Sequence, residues 1–323
     1  MKEIGGYLEF EKTQGREYYP GLVKYNLGRT ACVYYLKSTG CSRLYVPHFL
    51  CDSLTDAVQA AGITLIRYSI GRDFRPDRST LPAGPLSENE RLFILNPYGQ
   101  LKNEEIDSWK KEYLNIFVDN THAFFQRPSG NVPTLYSVRK FFGVSDGAYL
   151  ASDRELPSVS ERDRSNTRFS HILGRFEEDA GTYYRQMLDN AHSYTSSSVK
   201  SMSRLTENIL GGLDYEAIEE KRLKNYLFLD TAFGAENPLE NFLRIPDGGP
   251  FAYPFYIENG IMIRKALAKE KIFVPTYWNC VIKDCLPDST EYRYAANILA
   301  LPIDQRYDTQ DMETVAAALR RLI

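Results

Sequence analysis

The sequence predicts an α/β protein: a large domain with a mostly parallel central sheet flanked by helices, followed by a small C-terminal α+β domain. Three observations carry this expectation. Over the first half of the chain, short β-type apolar runs alternate with amphipathic segments, the pattern of strands covered by helices. The 323 residues suit one large domain plus a smaller one. A long helical stripe past the middle separates the alternating region from a tail of mixed elements.

In chain order, Leu44-Tyr45-Val46, Ile63-Thr64-Leu65-Ile66, Leu92-Phe93-Ile94-Leu95, Ile116-Phe117-Val118 and Ala148-Tyr149-Leu150 read as buried strands. Between the first two, Leu54, Ala57, Val58 and Ala61 recur at helical spacing, with Asp52 or Ser53 as N-cap and Gly62 as the stop. A second helix follows Asn103, with Ile106, Trp109 and Tyr113 on one face, and leads into the strand that ends at Asp119. The Ser-rich, charged stretch 151–199 is expected to wrap the large domain or to form part of a subunit contact. A helix over 215–228 carries Ile218, Leu223, Tyr226 and Leu227 as its core-facing stripe and bridges to the second domain. The tail reads as a strand at Ile272-Phe273-Val274, another at Ile298-Leu299-Ala300-Leu301, and a closing helix from Asp311 with Glu313 also in its first turn. The expected division is a large domain over 1–211 and a small one over 212–323.

Composition narrows the partners. Lys+Arg number 39 against 42 Asp+Glu, a net charge of -3, so no global basic field holds a nucleic acid or an anionic membrane. The opening Met1-Lys2-Glu3-Ile4-Gly5-Gly6-Tyr7 lacks the basic start and apolar run of a secretory signal, and no apolar stretch is long enough to span a bilayer. Five cysteines, without a C-x-x-C pair or metal-ligand spacing, read as reduced thiols, so a cytoplasmic protein that binds no metal and takes a small-molecule partner is expected.

Two residues at strand ends carry chemistry. Asp119 closes a buried strand at its carboxyl edge, where open α/β sheets place their ligands. Lys140 follows in Val138-Arg139-Lys140-Phe141-Phe142-Gly143, between apolar residues that favour a neutral, nucleophilic amine. Alone, such an aspartate more often caps a turn, and such a lysine is more often solvated. Together they are what pyridoxal phosphate requires: a lysine to hold the aldehyde as a Schiff base, and a carboxylate to keep the ring nitrogen protonated. Gly28-Arg29-Thr30-Ala31, just before a probable helix, offers backbone N–H groups, the Thr30 hydroxyl and a helix dipole to the phosphate. No G-x-G-x-x-G fingerprint or P-loop lysine competes, which counts against a dinucleotide-binding reading.

These motifs, in this order, resemble those of the DegT/DnrJ/StrS group of fold-type I pyridoxal-phosphate sugar aminotransferases. Gly28-Arg29-Thr30-Ala31 is similar to its phosphate turn, Val46-Pro47-His48-Phe49 to its VP-x-aromatic element, and Asp119-Asn120-Thr121-His122 to its D-x-x-[Q/H]. Arg139-Lys140-Phe141-Phe142-Gly143 with Asp146-Gly147 is similar to its lysine loop, and Ser203-Arg204-Leu205, Tyr253-Pro254-Phe255 and Leu301-Pro302-Ile303 fit its connection and small domain.

The resemblance implies Lys140 as the cofactor-binding base that shuttles the substrate proton, Asp119 at the pyridine nitrogen, and His122 near the phenolic oxygen or ring face. It implies a cytoplasmic homodimer with sites at the interface, moving an amino group by a ping-pong mechanism from glutamate to a nucleotide-linked keto sugar for surface polysaccharide or natural-product synthesis. Leu135 stands where the family often has a phosphate-binding serine, so Ser137 or Thr134 would substitute. Cys51 stands where an aromatic often stacks on the ring, leaving Phe49 or Tyr98 to cover that face. The family's cross-subunit asparagine-tyrosine-arginine element has no match between His192 and Arg204. These departures support an alternative, a degenerate member that binds pyridoxal phosphate or a sugar nucleotide without turnover. Lyase chemistry on the same cofactor is a second. The dehydratase branch, which replaces the lysine with histidine, is disfavoured by Lys140.

Overall fold

Seven of the chain's strands form one sheet: β1 (Val23–Tyr25), β2 (Arg43–Pro47), β3 (Thr64–Tyr68), β4 (Glu90–Leu95), β5 (Ile116–Asp119), β6 (Thr134–Ser137) and β7 (Ala148–Ala151), in the spatial order β1-β7-β6-β5-β4-β2-β3. The computed structural model describes residues 4–194 and 198–323. Met1-Lys2-Glu3, part of the reading against a secretory signal, and Thr195-Ser196-Ser197, part of the stretch 151–199, lie outside the described residues. Strands β2 to β6 run parallel, and β7 is antiparallel to both of its neighbours.

Parallel neighbours need crossovers. α1 (Gly28–Ser38), α2 (Asp52–Ala60) and α3 (Asn103–Tyr113) supply them between early strands. Because β7 reverses direction, the link from β6 needs no crossover helix and stays at the carboxyl edge of the sheet. That link carries Lys140. All four residues of β5 are buried, so the strand is fixed on both faces and Asp119 is held where β5 ends.

The chain then forms α4 (Ser170–Glu177), α5 (Tyr184–Ser193), α6 (Arg204–Gly211) and α7 (Tyr215–Phe233). After α7 come β8 (Tyr253–Tyr256), α8 (Gly260–Lys269), α9 (Asn279–Asp284), α10 (Thr290–Asn297), β9 (Ile298–Leu301) and α11 (Thr309–Arg320). Strands β8 and β9 pair antiparallel, and Leu267, Leu299, Leu301, Ile303 and Met312, all without exposed surface, build a second hydrophobic cluster around them. Among the described residues, no helix is long and apolar enough to cross a membrane.

Four local expectations need correction. The N-cap of α2 is Cys51 rather than Asp52 or Ser53; Asp52 turns its carboxylate to the Ser53 N–H at 2.7 Å. The buried stripe of α7 runs through Ile218, Arg222, Asn225, Tyr226, Leu229 and Phe233, while Leu227 is 40% exposed. Arg222 and Asn225 go inside because backbone carbonyls satisfy them, which hydrophobic periodicity does not register. Ile272-Phe273-Val274 forms no strand: the Ile272 N–H is committed to Leu267 O at the end of α8, and Phe273 is 55% exposed. The last helix starts at Thr309, because Asp308 is its N-cap and Asp311 completes a capping box.

Candidate active site

β5 and β6 pair so that Asp119 lies opposite Leu135, two residues before β6 ends. The turn Val138–Lys140 follows directly. Asp119 and Lys140 therefore reach one edge of the sheet, close enough for each charge to act on the other. Asp119 is 6% exposed. Its Oδ1 accepts the Thr121 N–H at 2.8 Å, whereas no described group donates to Oδ2. Burial raises its pKa above the usual 3.8, opposed by Thr121 and Lys140.

Lys140 is open to solvent yet surrounded by protein, as on the floor of a cleft: Cys51, Arg139, Asp119 and His122 feel its charge, and its Nζ lies 5.1 Å from the Tyr277 ring centroid. Removal from bulk water lowers its pKa from 10.5, and Arg139 adds to the effect. Cys51 and Asp119 pull the other way. Lys140 makes no ion pair or hydrogen bond with any described residue. An amine so placed is held toward its neutral, nucleophilic form.

The turn is anchored from three directions. Asp146 accepts the Ser203 N–H and Oγ, both at 2.8 Å, and the Thr206 hydroxyl. Gly147 donates its N–H to Asn26 O. On the far side, the Phe141 carbonyl accepts from Arg222 Nη2 at 3.2 Å and from Gln305 Nε2 at 2.8 Å. Arg222, 1% exposed, also reaches Pro250 O and Phe251 O, so one guanidinium ties α7 to the lysine loop and to the approach to β8.

At the start of α1, the Gly28, Arg29 and Thr30 N–H groups have no partner in the helix, and no side chain caps it. The Ala31 N–H does not join them, since it makes the first helical bond to Leu27 O at 3.0 Å. The Thr30 hydroxyl is also engaged, with Asn26 Oδ1 at 2.8 Å and Leu27 O at 3.0 Å. Residues alternate across β6. Leu135 packs toward Gly28, so Ser137 falls on the same face, toward α1, while Thr134 faces the other way with its hydroxyl on Val132 O.

His122 is 2% exposed and stacks on Phe251 at 4.1 Å and 12° and near-parallel to Trp278 at 5.7 Å and 7°. Burial and Lys140 hold its pKa well below 6.5, so the ring is neutral, and its buried Nδ1 has no partner. With aromatic neighbours on its faces, it is the edge of the ring that is left for a ligand. Phe49 has no exposed surface; it meets Trp278 edge-on at 4.9 Å. Tyr98 instead lies near His122, centroid to centroid 5.7 Å, on a left-handed backbone with φ of 55°. Tyr98, Phe251, Tyr277 and Trp278 escape a motif search as a group, because three of them come from far along the chain. Their one sequence signal is aromatic density. A further unread element is the buried amide chain in which Asn96 donates to Asn120 Oδ1 and Gln126 Oε1, each at 3.0 Å, fixing the strand end beside Asp119.

The fold is that of the fold-type I pyridoxal-phosphate aminotransferases. Among solved structures, the chain is similar to DesV of S. venezuelae, crystallised with a ketimine intermediate, at 17% identity and a TM-score of 0.61 over 93% of this chain and 84% of that one. It is similar to the sugar aminotransferase CalS13 of Micromonospora echinospora at 12% identity and a TM-score of 0.61, over 94% and 87% of the two chains. It is also similar to Helicobacter pylori PseC, an aminotransferase of pseudoaminic acid biosynthesis, at 14% identity and a TM-score of 0.61 over 92% and 85%. No protein-family profile matches the chain, and no curated protein matches its sequence.

Proposed function

We propose that the protein is a pyridoxal-phosphate-dependent aminotransferase that moves an amino group from glutamate to a nucleotide-linked keto sugar. The observation that carries this is the meeting, at one sheet edge, of a buried carboxylate with an unpartnered oxygen and a desolvated, unpaired lysine. The residues fit the cofactor at three points: Asp119 Oδ2 for a ring N–H, Lys140 Nζ for an aldehyde carbon, and the free N–H groups of Gly28, Arg29 and Thr30 for a phosphate. When bound, the group supplies an electrophilic carbon and a ring that takes up electrons. Lys140 would hold that carbon through Nζ, and once a donor's amine takes its place on the carbon, the freed Nζ would take up and return the substrate proton. Asp119, dry and fixed by Thr121, keeps the ring nitrogen protonated and supplies its counter-charge. His122, neutral, orients through its edge.

Sugar chemistry is supported by the likeness to the sugar aminotransferase CalS13 and to PseC, an aminotransferase of pseudoaminic acid biosynthesis. Homodimer formation with a site at the interface is supported by the apolar surface of α4 and α5, where Leu173 is 58%, Phe176 86% and Tyr184 58% exposed. A small domain over 212–323 is supported by the second hydrophobic cluster, whose members all follow residue 211.

The test is a visible spectrum of the protein reconstituted with pyridoxal phosphate. An absorption band that shifts on adding glutamate, and that the Lys140→Ala variant lacks, is expected. A protein that stays colourless overturns the proposal, and a band indifferent to every amino donor favours the non-catalytic binding protein.

A further inference from the structure

We propose that the guanidinium groups of Arg29 and Arg139 form a two-pronged clamp for the cofactor's phosphate, in place of the hydroxyl that Leu135 cannot offer. This rests on the cofactor reading above and deepens it. Arg29 lies in the first turn of α1, and Arg139 in the turn that carries Lys140, so two separate elements bring them to the same end of the sheet. Each makes no hydrogen bond or ion pair with any described residue, and they lie near enough for the charge of Arg29 to bear on Arg139.

The charges of Asp52 and Asp146 act on Arg29 and Arg139, but neither carboxylate is in an ion pair or hydrogen bond with them. Arg168, the third guanidinium of the group, is paired with Asp163 at 3.0 Å. Asp146, the acidic neighbour of Arg139, is already bonded to Ser203 and Thr206. Tyr194, 1% exposed, holds the cluster together: its ring lies 5.3 Å from the Arg139 guanidinium and 4.7 Å from that of Arg168, and its hydroxyl donates to Ser145 O at 3.1 Å. Two partly buried cations kept together with no carboxylate in contact with either repel each other. A phosphate monoester, carrying close to two negative charges near neutral pH, offsets both at once. The fork of a guanidinium matches its oxygens. Three free N–H groups at the start of α1 and the Ser137 hydroxyl on the same face of β6 complete the donor set.

The test compares pyridoxal phosphate with pyridoxal, which lacks the phosphate, by fluorescence titration of the full-length protein and its variants. Arg139→Gln and Arg29→Gln are each expected to weaken pyridoxal phosphate binding about ten- to a hundredfold, the range of one charged hydrogen bond, and pyridoxal binding far less, since any change in the Lys140 amine on losing Arg139 is shared by both ligands. Arg139→Lys should recover part of the loss. Inorganic phosphate, against chloride at equal ionic strength, should raise the melting temperature of the wild-type apoprotein more than that of the double variant. Equal loss for both ligands, or wild-type affinity in both variants, overturns the clamp. If Arg139→Gln fails to fold, Arg29→Gln, on a half-exposed residue, decides the question with the same readout. Tight binding of both ligands without discrimination removes the clamp and leaves the cofactor reading standing, whereas binding of neither removes the reading itself.

Discussion

Gly147 sits between the lysine turn and β7 with φ of +117°, and a methyl group there would lie 2.5 Å from Val138 Cγ2, 3.1 Å from Thr206 Cγ2 and 3.3 Å from Met202 Cε. The Gly147→Ala variant therefore carries two costs. A left-handed backbone costs an L-residue about 1–2 kcal/mol. Carbon atoms prefer separations of about 3.5–4.0 Å, so the new methyl overlaps Val138 by about 1.0–1.5 Å. Val138 has no exposed surface and cannot swing away, so overpacking adds about 1–3 kcal/mol. The total, about 2–5 kcal/mol, is a large share of the roughly 5–15 kcal/mol that holds a domain folded. Val138 opens the turn that ends at Lys140, so the displacement also moves the amine. Gly40→Ala is the control, since φ there is +66° with nothing within 4 Å of the added carbon. Urea unfolding should place Gly147→Ala below Gly40→Ala by the overlap cost, and only Gly147→Ala should slow capture of pyridoxal phosphate. Coincident unfolding midpoints with wild-type capture rates in both variants would refute the argument.

Other consequences follow from the same contacts. Replacing Arg222 with Met strands the Pro250 and Phe251 carbonyls and leaves the Phe141 carbonyl to Gln305 alone, so a loss of about 2–6 kcal/mol in denaturant unfolding is expected, at about 1–3 kcal/mol per stranded group, with weaker cofactor retention because Phe141 adjoins Lys140. Asp119→Asn should stabilise the cofactor-free protein while weakening its hold on the cofactor. The folded carboxyl has its pKa raised above 3.8, so its favourable contribution is complete below that value and is lost as pH rises through the folded pKa. The gain from Asn is therefore small in acid and greatest at neutral pH, as paired melting curves at the two pH values would show. The rate of cofactor capture should rise with pH and level off below the 10.5 of an ordinary lysine, as Lys140 becomes neutral. Arg139→Gln should move that plateau up in pH, because it removes a charge that lowers the lysine's pKa.

Local chemistry was legible where it depended on neighbours in sequence. The run 116–119 is buried on both faces, so Asp119 had to emerge at the strand end, and Lys140 between Arg139 and Phe141 had to lie on the link that follows. The sheet followed from the apolar runs for the same reason. Periodicity failed on α7, where Arg222 and Asn225 look like solvent-facing residues and are internal because distant carbonyls receive them. It also failed at Ile272-Phe273-Val274, a β-like run whose first N–H closes the end of α8 instead. The aromatic wall around His122 was hidden most deeply. Phe251 and Trp278 reach it only through the packing of the C-terminal elements on the sheet, a long-range fact that no local spacing encodes. The unpaired state of Arg29 and Arg139 is likewise visible only once Asp163 and Asp146 are seen to be bonded elsewhere.

Everything proposed for the site turns on Lys140 as the residue to which the cofactor attaches. The direct test is borohydride reduction of the protein incubated with pyridoxal phosphate, followed by peptide mass analysis of the modified site. One reduced adduct, on the peptide containing Lys140 and absent from Lys140→Ala, is the predicted result. Adducts scattered over surface lysines, or the same total labelling in Lys140→Ala, would contradict it.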